Sequence, residues 1–162
     1  MAATDPPPEL TLTPINGQPR TVDEWLTTFH LLLIVLDPYT NESSWILPVV
    51  RRVILTFAQA DCRVAILVTA DAGDARQFLG PMTKDVLTFL DPEREAVKAL
   101  GLSRLPALVH LDLGGQVAGS AEGWRPSEWR RACDNLGRVM AWSAPTMPMA
   151  NDPGAFEGSA AL

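Results

Sequence analysis

Apolar residues along this chain fall into two patterns, short unbroken runs and longer stretches with an apolar residue every three or four positions. Unbroken runs are typical of strands buried on both faces of a sheet. They cover residues 31–36 and 64–68, and residues 86–90 are expected to form a third buried strand. Helical spacing is clearest over residues 46–57 and again from Pro126, where Trp129 and Cys133 share the apolar face. A shorter helix is expected at 74–79.

Turn and cap residues place the remaining elements. Asn16-Gly17 is a dipeptide favoured in hairpin turns, and it separates two short segments of strand character. Asp91 can cap a helix at its start, and Gly101 can end that helix in a left-handed conformation. The further strands expected from these signals cover residues 10–14, 19–22, 106–111 and 116–119.

The alternation of strands and helices predicts one α/β domain over residues 10–142. We expect a central mixed sheet with helices on both faces and an N-terminal β-hairpin. A chain of 162 residues is long enough to bury the core of one such domain. Residues 1–9 contain three consecutive prolines, and residues 143–162 are rich in Pro, Ala, Gly and Met. Neither segment shows periodicity, so both are predicted to be disordered.

The balance of charge argues against two classes of partner. The formal net charge is −6, so the chain has no basic excess to neutralise nucleic-acid phosphates or anionic lipid. The apolar run at 31–36 is too short to cross a bilayer, and residues 1–9 lack the pattern of a secretory signal. We therefore expect a cytoplasmic protein with neither nucleic-acid binding nor membrane insertion.

Several local motifs, in this order, carry a resemblance to a known family. A buried strand ends in Leu36-Asp37-Pro38 just before a helix that contains Pro48. The segment 103–109 places Pro106 between a small loop and an apolar strand, and residues 112–117 form a hairpin signature. With the N-terminal hairpin, this order resembles the peroxiredoxin (AhpC/TSA) and TlpA-like branch of the thioredoxin superfamily. The resemblance implies a thioredoxin-like fold.

The resemblance also implies where cysteines are missing. Relatives carry Cys-x-x-Cys or one peroxidatic cysteine at the start of the helix after the first buried strand, commonly with a proline five residues after the second cysteine. Counting back from Pro48 assigns the two positions to Thr40 and Ser43. A hydroxyl cannot form a disulfide, and it stays protonated unless a positioned base removes its proton. We therefore expect a pseudoenzyme with no catalytic residue, no cofactor and no metal.

The segment around Thr40 and Ser43 is open to two interpretations. Thr40 or Asn41 can accept a hydrogen bond from a free backbone N–H at the helix start, while Glu42 complements the helix dipole. Alternatively, Thr40 and Ser43 keep a role in ligand binding. The capping role is favoured because no base lies nearby in sequence.

The remaining sulfur and imidazole groups are expected to be structural. Cys62 begins a predicted strand, and Cys133 lies on the apolar face of the last helix, so both are expected to be buried as small hydrophobes. The alternative is that one of them is a redox-sensing thiol. His110 alternates with Asp112 onto one strand face, where a hydrogen-bonded structural histidine is expected rather than a metal ligand.

In active relatives, extended substrate segments lie in a groove beside a cis proline, between the first helix and the loop before that proline. The residues expected to line the groove here are Tyr39, Thr40, Trp45, Leu105 and Pro106. The predicted function is therefore a non-catalytic module that binds a protein or peptide partner. One alternative is a redox enzyme that uses a partner thiol or an unusual residue. Another is a structural subunit that docks through Met147 and Met149 of its tail.

Overall fold

The computed structural model describes residues 3–162 of the chain. These residues contain nine strands and seven helices, joined by turns and loops. The strands are β1 (Thr11–Pro14), β2 (Arg20–Thr21), β3 (His30–Leu36), β4 (Cys62–Val68), β5 (Leu87–Leu90), β6 (Arg104–Leu105), β7 (Ala107–Leu111), β8 (Val117–Glu122) and β9 (Ser159–Ala160). The helices are α1 (Val22–Trp25), α2 (Asn41–Trp45), α3 (Leu47–Phe57), α4 (Ala72–Leu79), α5 (Met82–Asp85), α6 (Glu95–Ala99) and α7 (Pro126–Met140). Within those residues, no helix is long and apolar enough to cross a membrane.

Seven of the strands form one mixed sheet in the order β2-β1-β5-β4-β3-β7-β8. Strands β3, β4 and β5 run parallel, whereas β7, β8 and β1 join by antiparallel pairing. The predicted N-terminal hairpin is β1–β2 at one edge. Gly17 lies in its turn with φ of 119°, a conformation that glycine adopts without a steric penalty.

Helices cover both faces of the sheet because β3 is apolar on both. From Leu32 to Leu36, its even-numbered residues face a core shared with α3, α4 and α7. From Leu31 to Val35, its odd-numbered residues face a second core shared with α1 and α6. The predicted fold class, an α/β domain with a central mixed sheet between two helical layers, is confirmed.

The first long helix is divided in two. Helix α2 ends before Ile46, whose φ of −103° and ψ of 10° depart from helical geometry, and α3 follows. Pro48 falls in the first turn of α3, where its missing N–H removes no helical hydrogen bond. The helix expected over residues 46–57 is therefore α3, and α2 is a separate short helix between it and β3.

Helix α6 begins later than its capping residue suggests. Arg94, which directly precedes the helix, has a left-handed φ of 58°. Asp91 still caps the helix, since its carboxylate accepts hydrogen bonds of 3.1 Å from the N–H groups of Ala96 and Val97. Gly101, with φ of 65°, ends the helix as predicted.

The N-terminal segment packs against the domain, contrary to the prediction of disorder for the first nine residues. The Asp5 carboxylate accepts a 2.8 Å hydrogen bond from the N–H of Val117, and the Ala3 N–H donates to the Ser120 hydroxyl at 3.4 Å. The first two residues lie outside the part of the chain that is described. The segment has no periodicity because single polar contacts to β8, rather than a repeating apolar face, hold it.

The C-terminal residues 143–162, also predicted to be disordered, follow the surface of the domain and complete it. Arg52 forms an ion pair with Asp152 at 2.6 Å, Met147 is buried, and β9 pairs with β6. These contacts are spread over distant elements, so no local pattern in the sequence announces them. The domain therefore extends beyond residue 142.

Candidate functional site

Ser43, the second of the two positions that the resemblance assigns to cysteines in relatives, is fully buried at 0% exposure. Its hydroxyl oxygen accepts a 2.9 Å hydrogen bond from the N–H of Asp37, the residue that directly follows β3. Because a buried backbone N–H needs an acceptor, Ser43 stabilises the turn between β3 and α2. The Ser43 hydroxyl oxygen is thus already engaged with the backbone.

Thr40, the first of those positions, precedes α2 in an extended conformation but does not cap it with its side chain. Its hydroxyl and its N–H both donate to the carbonyl of Asp37, at 3.3 and 3.4 Å. The capping prediction is therefore right about the position and wrong about the side-chain bond. Across residues 3–162, neither the Thr40 nor the Ser43 hydroxyl is hydrogen-bonded to a carboxylate or imidazole that could act as a base.

A buried ion pair that the sequence analysis missed joins this turn to α6. The Asp37 carboxylate, whose side chain is 3% exposed, lies 2.9 Å from the Arg94 guanidinium. Its other oxygen accepts a 3.0 Å hydrogen bond from the N–H of Tyr39. The two charged residues are 57 positions apart. The one local signal was an aspartate directly after a buried strand.

Two of the predicted lining residues are aromatic and exposed. Tyr39 is 62% exposed, and its hydroxyl donates to the Asp74 carboxylate, which raises the pKa of Tyr39 to about 12. Trp45 is 51% exposed and stands edge-on against Phe156, with 5.3 Å between the ring centroids. Both rings therefore lie on the surface around the turn.

The other two predicted lining residues, Leu105 and Pro106, are buried rather than exposed in a groove. The peptide bond between them is cis. The Leu105 side chain packs in the core beneath the sheet, and its backbone is covered by β9, since Leu105 lies opposite Ser159. The expectation that both residues line an open groove is therefore corrected, because the chain's own C-terminal strand fills that place.

This C-terminal strand also contacts Thr40, in the turn between β3 and α2. The Ser159 hydroxyl lies 3.4 Å from the Thr40 hydroxyl. The carbonyl of Ala161 accepts a 2.6 Å hydrogen bond from Arg94, and its N–H donates to the carbonyl of Ser103 at 3.0 Å. The turn, the loop before Pro106 and the C-terminal strand therefore form one assembly.

A nearby open cleft does not contain the predicted lining residues. Its volume is about 790 Å³, and it lies between β8 and α7. Four arginines and three glutamates line it, namely Arg104, Arg125, Arg131, Arg138, Glu122, Glu128 and Glu157. The exposed aromatic surface and this polar cleft are thus separate features.

Neither cysteine reaches the site. Cys62 begins β4 and pairs in register with His30, at the end of the strands opposite to Asp37. Six residue steps along the strand correspond to about 20 Å. Burial raises the pKa of Cys62 to about 11, and burial raises that of the fully buried Cys133 to about 12. Both thiols are free and, at neutral pH, overwhelmingly protonated.

The two histidines meet at the same far end of the sheet. His30 Nδ1 and His110 Nε2 are 2.9 Å apart, and burial lowers the pKa of His110 to about 4. His110 is thus a buried histidine hydrogen-bonded to another side chain, as predicted. In the described residues, no three His, Cys, Asp or Glu side chains are grouped so as to hold a metal ion.

Comparison with known proteins shows the fold. No family model matches the sequence, and no curated protein matches it. A secreted Mycobacterium tuberculosis disulfide oxidoreductase homologous to E. coli DsbE is similar in structure, with TM-score 0.60 and 17% identity over 82% of this chain and 96% of that one. The thioredoxin domain of a Bacteroides vulgatus thiol-disulfide oxidoreductase gives TM-score 0.64 and 12% identity, over 86% and 99%. Peroxiredoxin Q from Xanthomonas campestris gives TM-score 0.64 and 12% identity, over 83% and 91%. The chain therefore has a thioredoxin-like fold, as the resemblance implied.

Proposed function

We propose that this chain is a non-catalytic thioredoxin-like protein that binds a partner protein at the surface around Trp45. The observation that carries the proposal is the state of Ser43, a buried hydroxyl bonded to the backbone N–H of Asp37. Thiol–disulfide exchange needs a thiolate that attacks and a second sulfur that accepts. A hydroxyl in this state supplies neither.

The cysteines elsewhere in the chain support the same conclusion. The thiolate is the reactive form of cysteine, and its population falls as the pKa rises. Burial raises the pKa of both Cys62 and Cys133 far above neutrality. Cys62 lies at the end of the strands opposite to the turn, and Cys133 is enclosed in the first apolar core.

Binding is supported by surface features at the same end of the sheet. Tyr39 and Trp45 are large aromatic side chains that remain more than half exposed. Tyrosine and tryptophan are enriched among the residues that dominate protein interfaces. The neighbouring strand β6 already pairs with β9 of the same chain, which supports a backbone geometry at this end that accepts an extended segment.

The unpaired thiols support a reducing compartment, and we propose the cytoplasm. Cys62 and Cys133 are both free, whereas proteins of oxidising compartments tend to pair their cysteines. Fractionation of source cells tests this assignment, and recovery of the chain outside the cytoplasm contradicts it.

Turnover assays test the absence of catalysis. We expect the purified chain to reduce insulin with dithiothreitol, and to consume peroxide, no faster than a protein-free blank. Turnover above the blank contradicts the proposal. The Cys62→Ser/Cys133→Ser double variant would then show whether a cysteine or another residue is responsible.

Affinity capture from the source organism tests the binding surface. We expect Trp45→Ala to lose a partner that the intact chain retains. Leu113→Ala is the matched control, because Leu113 is equally exposed, at 52% against 51%, but lies on the β7–β8 turn. Equal capture by the two variants contradicts a role for the Trp45 surface.

A further inference from the structure

The C-terminal residues 154–162, which we call the cover segment, add a strand to the domain at an edge of its own. β9 pairs antiparallel with β6, placing Ser159 opposite Leu105 and Ala160 opposite Arg104. Upstream, Phe156 and Trp124 exchange two backbone hydrogen bonds of 2.9 Å. The segment therefore binds the rest of the chain chiefly through its backbone.

Side chains of the cover segment contribute little to this binding. Six of its nine residues are Gly, Ala or Ser. Ala161 is the one residue of the segment that is buried, and a methyl group buries little apolar area. Phe156 is the one large ring, and it rests half-buried against the exposed Trp45. Phe156 packs against the first apolar core and Ala161 belongs to the second, so the segment meets each core through a single side chain.

The cover segment shields the groups that would recognise another extended chain. Its departure would free the backbone of β6, the part of the Trp45 ring that contacts Phe156, and one guanidinium nitrogen of Arg94. Arg94 donates to the carbonyl of Ala161 at 2.6 Å while its other nitrogen holds Asp37, so the cation stays in place when the segment leaves. These three elements form a docking edge for a peptide in extended conformation.

We propose that the cover segment is a resident ligand of this edge, and that a partner binds by displacing it with an extended strand of the same chemistry. That strand carries an aromatic residue to stack on Trp45, followed by small residues that pass close to β6. The proposal rests on the proposed binding function and adds its partner class and its regulation. It predicts that the intact chain is largely closed to peptides.

The cover segment weakens peptide binding by an amount that follows from its covalent attachment to the domain. A segment attached to its own site competes at an effective concentration in the millimolar range. A free peptide that binds the open edge with a dissociation constant of about 100 μM is then weakened about tenfold by the closed cover segment.

Two glycines allow release to be tested in the full chain. Gly158 has φ of 86°, and a Cβ there would overlap the carbonyl oxygen of Leu105. Gly158→Val therefore disfavours docking of the segment without changing a residue of either core. Gly154→Ala is the matched control, because a Cβ at Gly154 meets no atom within 4 Å.

The probe is a labelled synthetic peptide with the sequence of residues 154–162. We expect the Ala161 amide to exchange its hydrogen at least tenfold faster in Gly158→Val than in Gly154→Ala. We also expect the peptide to bind Gly158→Val about tenfold more tightly than the control, by fluorescence anisotropy. Fast exchange without peptide binding overturns the proposal.

A milder variant covers the case in which Gly158→Val does not fold. Phe156→Ala removes the contact with Trp45 and a partly buried ring at the edge of the first core, and we expect it to strengthen peptide binding about threefold. Equal binding by Phe156→Ala and the intact chain then overturns the proposal. A concentration-dependent dimer on size-exclusion chromatography, without peptide binding, would assign the edge to a second copy's cover segment and overturn the proposed occupant.

These experiments distinguish failure of the displacement proposal from failure of the proposed binding function. Peptide exchange without partner capture would leave the resident-ligand proposal standing and contradict the binding function. Partner capture that is the same for Gly158→Val and Gly154→Ala would contradict displacement and leave the binding function standing.

Discussion

Strands β3 and β4 end in two different chemical environments. At their carboxyl ends, Asp37 and Ser43 lie beside Pro106, where a loop, a helix start and the cover segment meet. At their amino ends, His30 and Cys62 pair in register, far from any of these elements. The first end has accessible aromatic surface but no sulfur. The second end has a thiol, Cys62, and two imidazoles. Burial raises the pKa of the Cys62 thiol, which keeps it protonated.

The comparison shows that the two ends of these strands hold different chemical groups. The end at which the chain's own C-terminal strand docks holds hydroxyls and an ion pair that stabilise its geometry. The end that holds the Cys62 thiol has no such docked strand. This difference is the basis on which we propose binding rather than electron transfer.

The largest expected effect is on the free energy of unfolding, when the ion pair at the carboxyl ends of β3 and β4 is broken. Arg94→Ala leaves the Asp37 carboxylate, 3% exposed, without its cation. Removing one partner of a buried pair costs about 3 kcal/mol of unfolding free energy, because the remaining charge stays desolvated. Urea unfolding measures the loss. Arg104→Ala is the control, since the exposed Arg104 forms no ion pair within residues 3–162 and is expected to change stability by less than about 0.5 kcal/mol. Equal stabilities of the two variants would show that the ion pair does not hold the turn.

The next largest effect is on the alkylation rate of Cys62, at the amino ends of β3 and β4. Because burial raises the pKa of Cys62 to about 11, its thiolate population at pH 8 is about 100-fold below that of an unfolded cysteine. In a Cys133→Ser variant, we expect alkylation of Cys62 to be slower by at least that factor in the native state than in guanidinium chloride. Similar rates in the two states would revive Cys62 as a redox-sensing thiol.

The smallest of the three effects is a pH dependence of the free energy of unfolding, which comes from His110 at the amino end of β3. The pKa of His110 is lowered from about 6.5 to about 4 by burial, with His30 lowering it further and Asp112 opposing the shift. The unfolded chain therefore binds the proton more readily, and stability that is complete above pH 6.5 is lost as the pH falls towards 4. Between pH 7.5 and 5, we expect a loss of about 2 kcal/mol in urea unfolding. His110→Gln should remove most of this slope, and an unchanged slope would assign it to other groups.

Elements with a local signal could be predicted from the sequence. The unbroken apolar runs predicted β3 and β4, and Asn16-Gly17 predicted the hairpin, because each pattern reports burial or turn geometry within a few residues. The start of α6 was placed too early, since Asp91 caps from beyond a left-handed Arg94. Boundaries depend on such single dihedral choices, which the apolar pattern does not report.

The candidate site was predictable in part for the same reason. Spacing from Pro48 led to Thr40 and Ser43, and the structure places both at the turn after β3. The Asp37–Arg94 pair and the cover segment were missed. Each joins segments that are distant in sequence, the ion pair through one side-chain contact and the cover segment chiefly through backbone hydrogen bonds, and such contacts leave no periodic trace in either segment.

The N-terminal segment along β8 has a consequence for association between molecules. β8 is the last strand of the sheet, and an exposed last strand offers unpaired N–H and C=O groups to other chains. The Asp5 carboxylate takes up the N–H of Val117, and the Ala3 N–H binds the Ser120 hydroxyl. The N–H of Val117 is therefore satisfied within the chain and is not offered to a strand of another molecule.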